Sequence, residues 1–344
     1  MELLSFKAAL ENSSRLTKRH ILLGNGFSIA CKPDIFIYGR LFERANFSKL
    51  SPSAKKSFEI METEDFEKVI KALRDSSKII EAYNGDDKEF IQQLQNDSEA
   101  LKELLISTLA SSHPAHPGEL SESQFLHCKT FLKNFGRIYT LNYDLLLYWT
   151  CMHCEEDEKP LSDDGFRTPS ENYDAHYVTW EPHNTHKQNI YFLHGALHLF
   201  DAGYELRKFT WVNTKVRLIE QIRAAMNQDL FPVFVSEGTS LEKVERIRHN
   251  DYLAKCYRSF CEIGGALFIY GHSLAENDEH FLKAIENGNV RQLYIGVYGN
   301  PKSNDNKKII GRAHRMALNR EKKNLEVFFF DASSANVWGQ IKSP

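Results

Sequence analysis

Four short polar motifs, each placed directly after an apolar run, carry the side chains that could do chemistry. In chain order they are Gly24-Asn25-Gly26-Phe27-Ser28, Asn142-Tyr143-Asp144, His194-Gly195 and Gly271-His272-Ser273-Leu274. They supply an amide, a carboxylate and an imidazole that titrates near neutrality, which are groups used to position and activate a hydroxyl or a water molecule. The motifs therefore predict a polar site built from segments that are far apart in the sequence.

The first motif predicts a strand, a tight turn and the start of a helix, because it follows the apolar run Ile21–Leu23 and precedes helix-compatible residues. Such a turn can hold a phosphate, since backbone N–H groups point outward at a helix start and glycine has no Cβ to keep the ligand away. Gly24 and Gly26 are the turn glycines, and the Ser28 hydroxyl is a further donor. Ile29 stands where the dinucleotide fingerprint has its third glycine, so an ordinary strand-to-helix turn is the alternative.

The other polar residues also have structural alternatives. Asn142 and Asp144 precede an apolar helix, and these residue types commonly cap helices. His194 could be a hydrogen-bonded core histidine at the end of a strand. The joint occurrence of the motifs after successive strands favours the functional interpretation.

Apolar runs of strand length alternate with helical patterns, which predicts an α/β fold with a doubly wound, mostly parallel, Rossmann-like sheet. The predicted strands are 21–23, 137–141, 190–193, 232–235, 266–270, 292–298 and 325–330. In such a sheet, ligands bind outside the carboxyl ends of the strands at a topological switch point. One crevice could therefore collect all four motifs.

Residues 51–135 differ in character from the rest of the chain, being rich in Lys, Glu, Leu and Ser with apolar residues at helical spacing. We interpret this stretch as a helical insertion within a single α/β domain that spans 1–344. His113 and His116, between its helices, could bind a metal, but the neighbouring prolines favour a solvated loop.

The bulk composition narrows the class of protein. The 344 residues are 42% hydrophobic, which is enough to bury a proper core, and the formal net charge of −3 provides no basic field for direct nucleic-acid binding or for an anionic membrane. The 6 cysteines are too sparse for a disulfide scaffold, and no apolar run could cross a bilayer. We expect a cytoplasmic protein with reduced thiols.

Taken in order, the four motifs resemble the sirtuin-like family: the G-x-G-x-S turn, the N-x-D motif, the H-G pair and the late G-x-S-L motif. The Asn277-Asp278 pair resembles the bacterial branch of this family that splits NAD and serves in defence against phage. The resemblance covers residues 20–280. It implies an NAD glycohydrolase that takes NAD as its substrate, releases nicotinamide and ADP-ribose, and acts as the toxic effector of abortive infection.

The resemblance also implies residue roles. Asn142 would position a ribose hydroxyl or the attacking water, Asp144 would accept from the nicotinamide carboxamide, and His194 would be the general base. The residues that would bind the rest of the dinucleotide are Gly24, Asn25, Gly26, Phe27, Ser28, Gly271, Ser273 and Asp278. His280 is interpreted as a helix-start residue.

Two departures distinguish the chain from deacylating sirtuins. Leu141 replaces the Gln before the N-x-D motif, and a single C-x-x-C, Cys151-Met152-His153-Cys154, stands where those enzymes have a two-pair zinc module. Packed thiols are favoured over a zinc site completed by His183 and His186, so no metal is expected. Water is then the favoured acceptor, which indicates NAD hydrolysis rather than deacylation.

Two other functions stay open: an NAD-dependent protein deacylase or ADP-ribosyltransferase, and a non-catalytic nucleotide-sensing subunit. An unregulated NAD hydrolase would kill its own cell, so we expect control by a regulatory protein partner or by homo-oligomerisation. The insertion 51–135 or the basic region 307–323 would supply that interface, with a solvated helix face as the alternative.

Overall fold

A computed structural model describes residues 2–153, 162–184, 187–203, 205–210, 216–226, 230, 232–235, 239–321 and 324–339. The helices are α1 (Phe6–Asn12), α2 (Gly26–Cys31), α3 (Pro33–Phe36), α4 (Tyr38–Arg44), α5 (Pro52–Ile60), α6 (Phe66–Asn84), α7 (Lys88–Ser112), α8 (Glu122–Leu132), α9 (Leu146–Met152), α10 (Leu218–Met226), α11 (Ser240–His249), α12 (Asp251–Cys261), α13 (Glu279–Asn287) and α14 (Asn304–Leu318). The strands are β1 (Arg19–Leu23), β2 (Arg137–Thr140), β3 (Phe166–Arg167), β4 (Tyr177–Trp180), β5 (Ile190–Phe192), β6 (Gly195–Asp201), β7 (Leu206–Phe209), β8 (Pro232–Phe234), β9 (Gly264–Tyr270), β10 (Asn289–Val297) and β11 (Glu326–Asp331).

Six parallel strands form the central sheet, in the order β11-β10-β9-β1-β2-β5, and helices flank it. Numbered within this sheet alone, the order is 6-5-4-1-2-3, which is the strand order of Rossmann-like folds. The order reverses between β1 and β9, which pair in register from Arg19 with Ala266 to Leu23 with Tyr270. The predicted α/β fold with a parallel sheet is confirmed.

The strand at the switch point is buried on both faces. Ile21, Leu22 and Leu23 have no exposed surface, and neither do Phe268 and Ile269 on β9. Parallel strands covered by helices on both faces require such continuous apolar runs, which explains why the sequence pattern located them.

A second sheet, antiparallel and five-stranded, lies within 166–234 in the order β3-β4-β7-β6-β8. The sequence did not predict this sheet, because all its strands except β6 have only two to four residues and polar stretches separate them. Pro232–Phe234, predicted as part of the parallel sheet, pairs antiparallel with β6 instead. An apolar run indicates a strand but does not identify its partner.

The insertion is helical, as predicted, with α5 to α8 inside its limits. A small core of its own contains Phe58, Phe66, Val69 and Leu101. Phe125 on α8 belongs to the main core instead. The last helix of the insertion and the end of α7, through Ile106 and Ala110, therefore pack with the body of the protein, and α5, α6 and the rest of α7 share the small cluster with Leu41 of α4.

The stretch 240–261 forms two helices, α11 and α12, that meet at Asn250. This residue has extended backbone angles (φ −114°, ψ 121°), and its side chain accepts from the Leu253 N–H, which caps α12. Because of this break, α11 and α12 do not form one continuous helix, and their axes can point in different directions.

Within the described ranges, no helix is long and apolar enough to span a membrane. The described cysteines are free thiols: Cys31, Cys128, Cys151, Cys256 and Cys261. Cys154 and His186, two members of the less favoured zinc site, lie outside the described residues.

Candidate active site

A cleft of about 470 Å³ opens at the carboxyl end of the parallel sheet, at the switch point between β1 and β9. Small-molecule sites typically enclose roughly 300–1,000 Å³. The predicted site residues that line the cleft are Gly24, Asn25, Gly26, Asn142, Asp144, His194, Gly271, Ser273 and Asp278. The structure thus brings together residues that follow four different strands, as predicted.

The helical insertion closes one side of this cleft. Leu105 and Leu109 on α7 line it, together with Phe36 on α3 and Leu41 on α4. These apolar side chains face the polar residues at the strand ends. The cleft therefore has one wall that can exclude water and one that can make hydrogen bonds.

The glycine turn does not offer the phosphate cradle that its sequence predicts. The N–H of Gly26 donates to the Gly271 carbonyl at 2.8 Å, and the N–H groups of Phe27 and Ser28 donate to carbonyls inside the turn. A Cβ on Gly26 would lie 2.5 Å from the Gly271 Cα, and Gly271 has a φ of +71°. The glycines therefore let two turns of the protein touch backbone to backbone, and the N–H groups of Gly26, Phe27 and Ser28 are already engaged.

Two predicted ligand-binding residues do not line the cleft. The Phe27 ring packs 5.0 Å from the ring of Trp338, whose indole N–H donates to the Phe27 carbonyl at 2.8 Å. Ser28 is fully buried. The expectation that these two side chains contact a ligand is corrected. Phe27 anchors the turn in the core, and the Ser28 hydroxyl is hydrogen-bonded to Asn142 and Asp144.

Asn142 joins the first two motifs. Its Nδ2 donates to Ser28 Oγ at 2.8 Å and to the Gly24 carbonyl at 3.1 Å. Because both amide hydrogens are used, the carbonyl oxygen of Asn142 is the group that can bind a ligand.

Asp144 lies on the far side of Ser28. Its Oδ2 accepts from Ser28 Oγ, and its Oδ1 accepts from the Leu146 N–H at 2.9 Å. Burial raises the pKa of the Asp144 carboxyl, against the effect of these hydrogen bonds. The N-cap of α9 is Leu145 and not an Asn or Asp, so the motif holds the helix start only through the Leu146 bond.

His113, at the end of α7, supports the N-x-D turn. Its Nε2 accepts from the Leu145 N–H at 3.0 Å, and its Nδ1 lies 3.0 Å from the Pro114 carbonyl. Burial lowers the pKa of His113 to about 4, so the imidazole stays neutral and keeps its acceptor. The predicted solvated loop is wrong at this residue, because the local prolines carry no information about the segment that packs over it.

Buried ionisable groups surround Asp278 in the other half of the cleft. His272 Nε2 lies 3.0 Å from Asp278 Oδ2, and Lys243 Nζ lies 3.2 Å from Asp278 Oδ1. His194 Nε2 lies 3.7 Å from that same Oδ1, beyond hydrogen-bond distance. Burial opposes the charge on Asp278, but the His272 hydrogen bond and the nearby positive charges hold its pKa well below its ordinary value.

The tautomer of His272 follows from its second nitrogen. Nδ1 accepts from the Leu274 N–H at 3.0 Å, so the proton of the neutral ring lies on Nε2 and is donated to Asp278. Leu274 has a φ of 55°, an uncommon conformation for a non-glycine residue. The turn after β9 is thus strained, and the strained conformation aims His272 at the carboxylate.

His194 is 2% exposed, and its Nε2 has no hydrogen-bond partner within the part of the chain that is described. Burial lowers the pKa of His194 well below its ordinary value, which makes the ring neutral. Gly195 follows with a φ of +82°, and a Cβ there would lie 1.9 Å from the Val233 carbonyl. The close approach of β8 therefore requires glycine next to the histidine.

Sequence reasoning missed Lys243. This residue is 1% exposed and shares one buried face of α11 with Val244 and Ile247. The sequence pattern that could have identified it is a lysine on the apolar face of a predicted helix. A buried ammonium needs a polar or charged partner, so this pattern indicates a buried ion pair.

Three groups of this cluster resemble a metal site, because ligand atoms of His194, Asp278 and His280 lie within 4.8 Å of one another. Asp278 already accepts from the Lys243 ammonium, however, and a divalent ion would lie beside that charge. His280, predicted as a helix-start residue, is the second residue of α13 and is buried, with Nδ1 3.1 Å from Ser240 Oγ. We therefore infer that the positive charge in this cluster is the Lys243 ammonium and not a bound metal ion.

Comparison with known proteins gives one family. A profile described as "Domain of unknown function (DUF4917)" matches residues 21–338, which include both sheets, the helical insertion and all four motifs. No curated protein matches the chain.

Proposed function

The chain belongs to the DUF4917 family, and we propose that this member is an NAD glycohydrolase that splits NAD into nicotinamide and ADP-ribose. The observation that carries the proposal is that Asn142 and His194 line one cleft at the switch point of a Rossmann-like sheet. Dinucleotides bind at switch points of such sheets. The order of the four motifs, which resembles the sirtuin-like family, supplies the choice of NAD.

The reaction breaks the bond between the ribose C1′ and the nicotinamide nitrogen and forms a bond from C1′ to a water oxygen. The bonding electrons leave with nicotinamide, which departs as a neutral molecule, and the water proton must go to a base. A neutral imidazole at the cleft wall, His194, is suited to accept that proton. The carbonyl oxygen of Asn142 is suited to accept from a ribose hydroxyl or from the water.

The transition state resembles an oxocarbenium ion, so the site must hold the ribose and exclude bulk water. The apolar wall formed by Phe36, Leu105 and Leu109 supports this requirement. Asp144 places a carboxyl group on the polar side, where negative charge would favour the positive charge that develops on the sugar.

The test is nicotinamide release from NAD by the purified full-length protein, alone and with whatever protein is encoded beside it. We expect the Asn142→Ala and His194→Ala variants to lose about 100-fold or more of the wild-type rate. The matched control is His183→Ala, since His183 is 79% exposed on its side chain and pairs with Glu181 away from the cleft lining. Equal rates in all four proteins would overturn the site.

The same assay separates the other functions. Release only when an acceptor protein is added would indicate a transferase. NAD binding without turnover, unchanged by His194→Ala, would indicate a nucleotide-sensing subunit. Either result would overturn the hydrolase proposal.

A further inference from the structure

Lys243 is a charged side chain that the proposed reaction does not use. It lines the cleft, yet only 1% of its surface is exposed. An ammonium that leaves water needs a carboxylate partner to stay charged, and Asp278 provides one at 3.2 Å. The arrangement is therefore a buried ion pair in the wall of the proposed active site.

One oxygen of Asp278 faces two groups. Oδ1 lies 3.2 Å from Lys243 Nζ and 3.7 Å from His194 Nε2, and Oδ2 is engaged by His272 at 3.0 Å. Lys243 is thus at hydrogen-bond distance from the oxygen that would otherwise pair with a protonated His194. The imidazole is left beside a carboxylate whose charge is already balanced.

In the part of the chain that the structure describes, the remaining groups around His194 supply no further fixed charge. The rings of Tyr143, His280 and Phe281 lie 6.3, 6.0 and 5.4 Å from its own ring. Both ring nitrogens of His272 are engaged, Nδ1 by the Leu274 N–H and Nε2 by Asp278. Burial lowers the pKa of His280 to about 4, so its ring is neutral near pH 7. Burial is the main cause of the low pKa of His194, and within the described residues Lys243 and Asp278 are the two fixed charges that adjust it.

We propose that Lys243 is a positioning residue for His194: its ammonium occupies the Asp278 oxygen nearest the imidazole and so keeps His194 uncharged and able to accept a proton. The catalytic meaning of this role rests on the proposed function. The effect of Lys243 and Asp278 on the protonation of His194 can be tested without assuming that function.

The test compares Lys243→Met, which removes the charge at similar length, with Lys243→Arg, which keeps it. The readout is the NMR titration of His194 in protein carrying ¹³C-labelled histidine, with the resonance identified by its absence in His194→Gln. We expect the midpoint in Lys243→Met to rise by about one pH unit or more, a tenfold gain in proton affinity, and the midpoint in Lys243→Arg to stay near that of the wild type. An unmoved midpoint in folded Lys243→Met would overturn the inference.

A second variant covers the case in which Lys243→Met does not fold. Asp278→Asn removes the negative charge and leaves the ammonium, so the His194 midpoint should fall below that of the wild type. A rise in this variant would overturn the inference as well.

The pH profile of nicotinamide release supplies the catalytic readout. In Lys243→Met the acidic limb of kcat/KM should move to higher pH, and raising the pH should recover part of the activity that the variant loses near pH 7. A loss that is the same at every pH would show a merely structural role. If the wild type releases no nicotinamide, the proposed function fails while the NMR titration still decides the role of Lys243.

Discussion

Asn142 Nδ2 donates to the Gly24 carbonyl oxygen at 3.1 Å, across 118 residues of chain. The same nitrogen donates to Ser28 Oγ, so one amide joins the turn after β1 to the turn after β2. These turns are neighbours because the two strands pair in parallel, with Leu23 opposite Thr140. The shape of the cleft and its proposed chemistry therefore depend on the same side chain.

Asn142→Ala should lower the free energy of unfolding by about 1–3 kcal/mol, because a buried carbonyl and a buried hydroxyl lose a donor. Urea denaturation measures this change. Asn134→Ala is the matched control, since Asn134 Nδ2 also donates two hydrogen bonds, both to carbonyls, but its side chain is only half-buried, just beyond the end of α8. Equal losses in the two variants would contradict the assigned role.

The stability of the protein should depend on His113 below neutral pH. The pKa of this residue falls from an ordinary 6.5 to about 4 on folding, so between these values the unfolded chain binds the proton more readily than the folded one. The free energy of unfolding should therefore decrease as the pH falls from 6.5 to 4, by up to about 3 kcal/mol from this residue. Unfolding measured across that range should show a shallower slope for His113→Gln than for His183→Gln, whose native side chain is exposed.

Gly195→Ala should be more destabilising than Gly203→Ala. Both glycines have positive φ angles, +82° and +86°, so both substitutions strain the backbone by about 1 kcal/mol. Only at Gly195 would the new Cβ also meet backbone, 1.9 Å from the Val233 carbonyl, whereas at Gly203 nothing lies within 4 Å. Thermal unfolding of the two variants compares the effects, and similar melting temperatures would contradict the close approach of β8.

Ser273→Trp should block ligand binding without unfolding the protein, because Ser273 is exposed and lines the cleft. Ligand at 100 times its Kd stabilises a protein by about 2.7 kcal/mol, so NAD should raise the melting temperature of the wild type. This shift should disappear in Ser273→Trp and persist in Ser107→Trp, where the native serine is exposed on α7 outside the cleft lining. A retained shift in Ser273→Trp would remove the cleft as the binding site.

The parallel sheet could be predicted because each of its strands is an apolar run with polar residues at one end. The antiparallel sheet could not, since Phe166–Arg167 and Tyr177–Trp180 are short and the stretch between them is polar. The pairing of Pro232–Phe234 is also a tertiary property that no local pattern encodes.

The structure brings the four motifs to one cleft, and it gives the glycines a packing role that the sequence did not predict. Glycine allows any close approach, and here the approaching group is the Gly271 backbone rather than a phosphate. Lys243 was missed for a related reason: its partner Asp278 is 35 positions away, and only the fold brings the two together.

His194 stands between two sheets, since β5 ends two residues before it and β6 begins at the next residue. Its carbonyl also accepts from the Val235 N–H at 3.0 Å, which ties it to the second sheet on both sides. A graft of this cleft onto another scaffold would consequently have to carry the antiparallel sheet as well as the Rossmann-like one. Natural drift in the strands of the antiparallel sheet, none of which lines the cleft, is a route by which the orientation of the imidazole can be retuned while every cleft-lining residue stays the same.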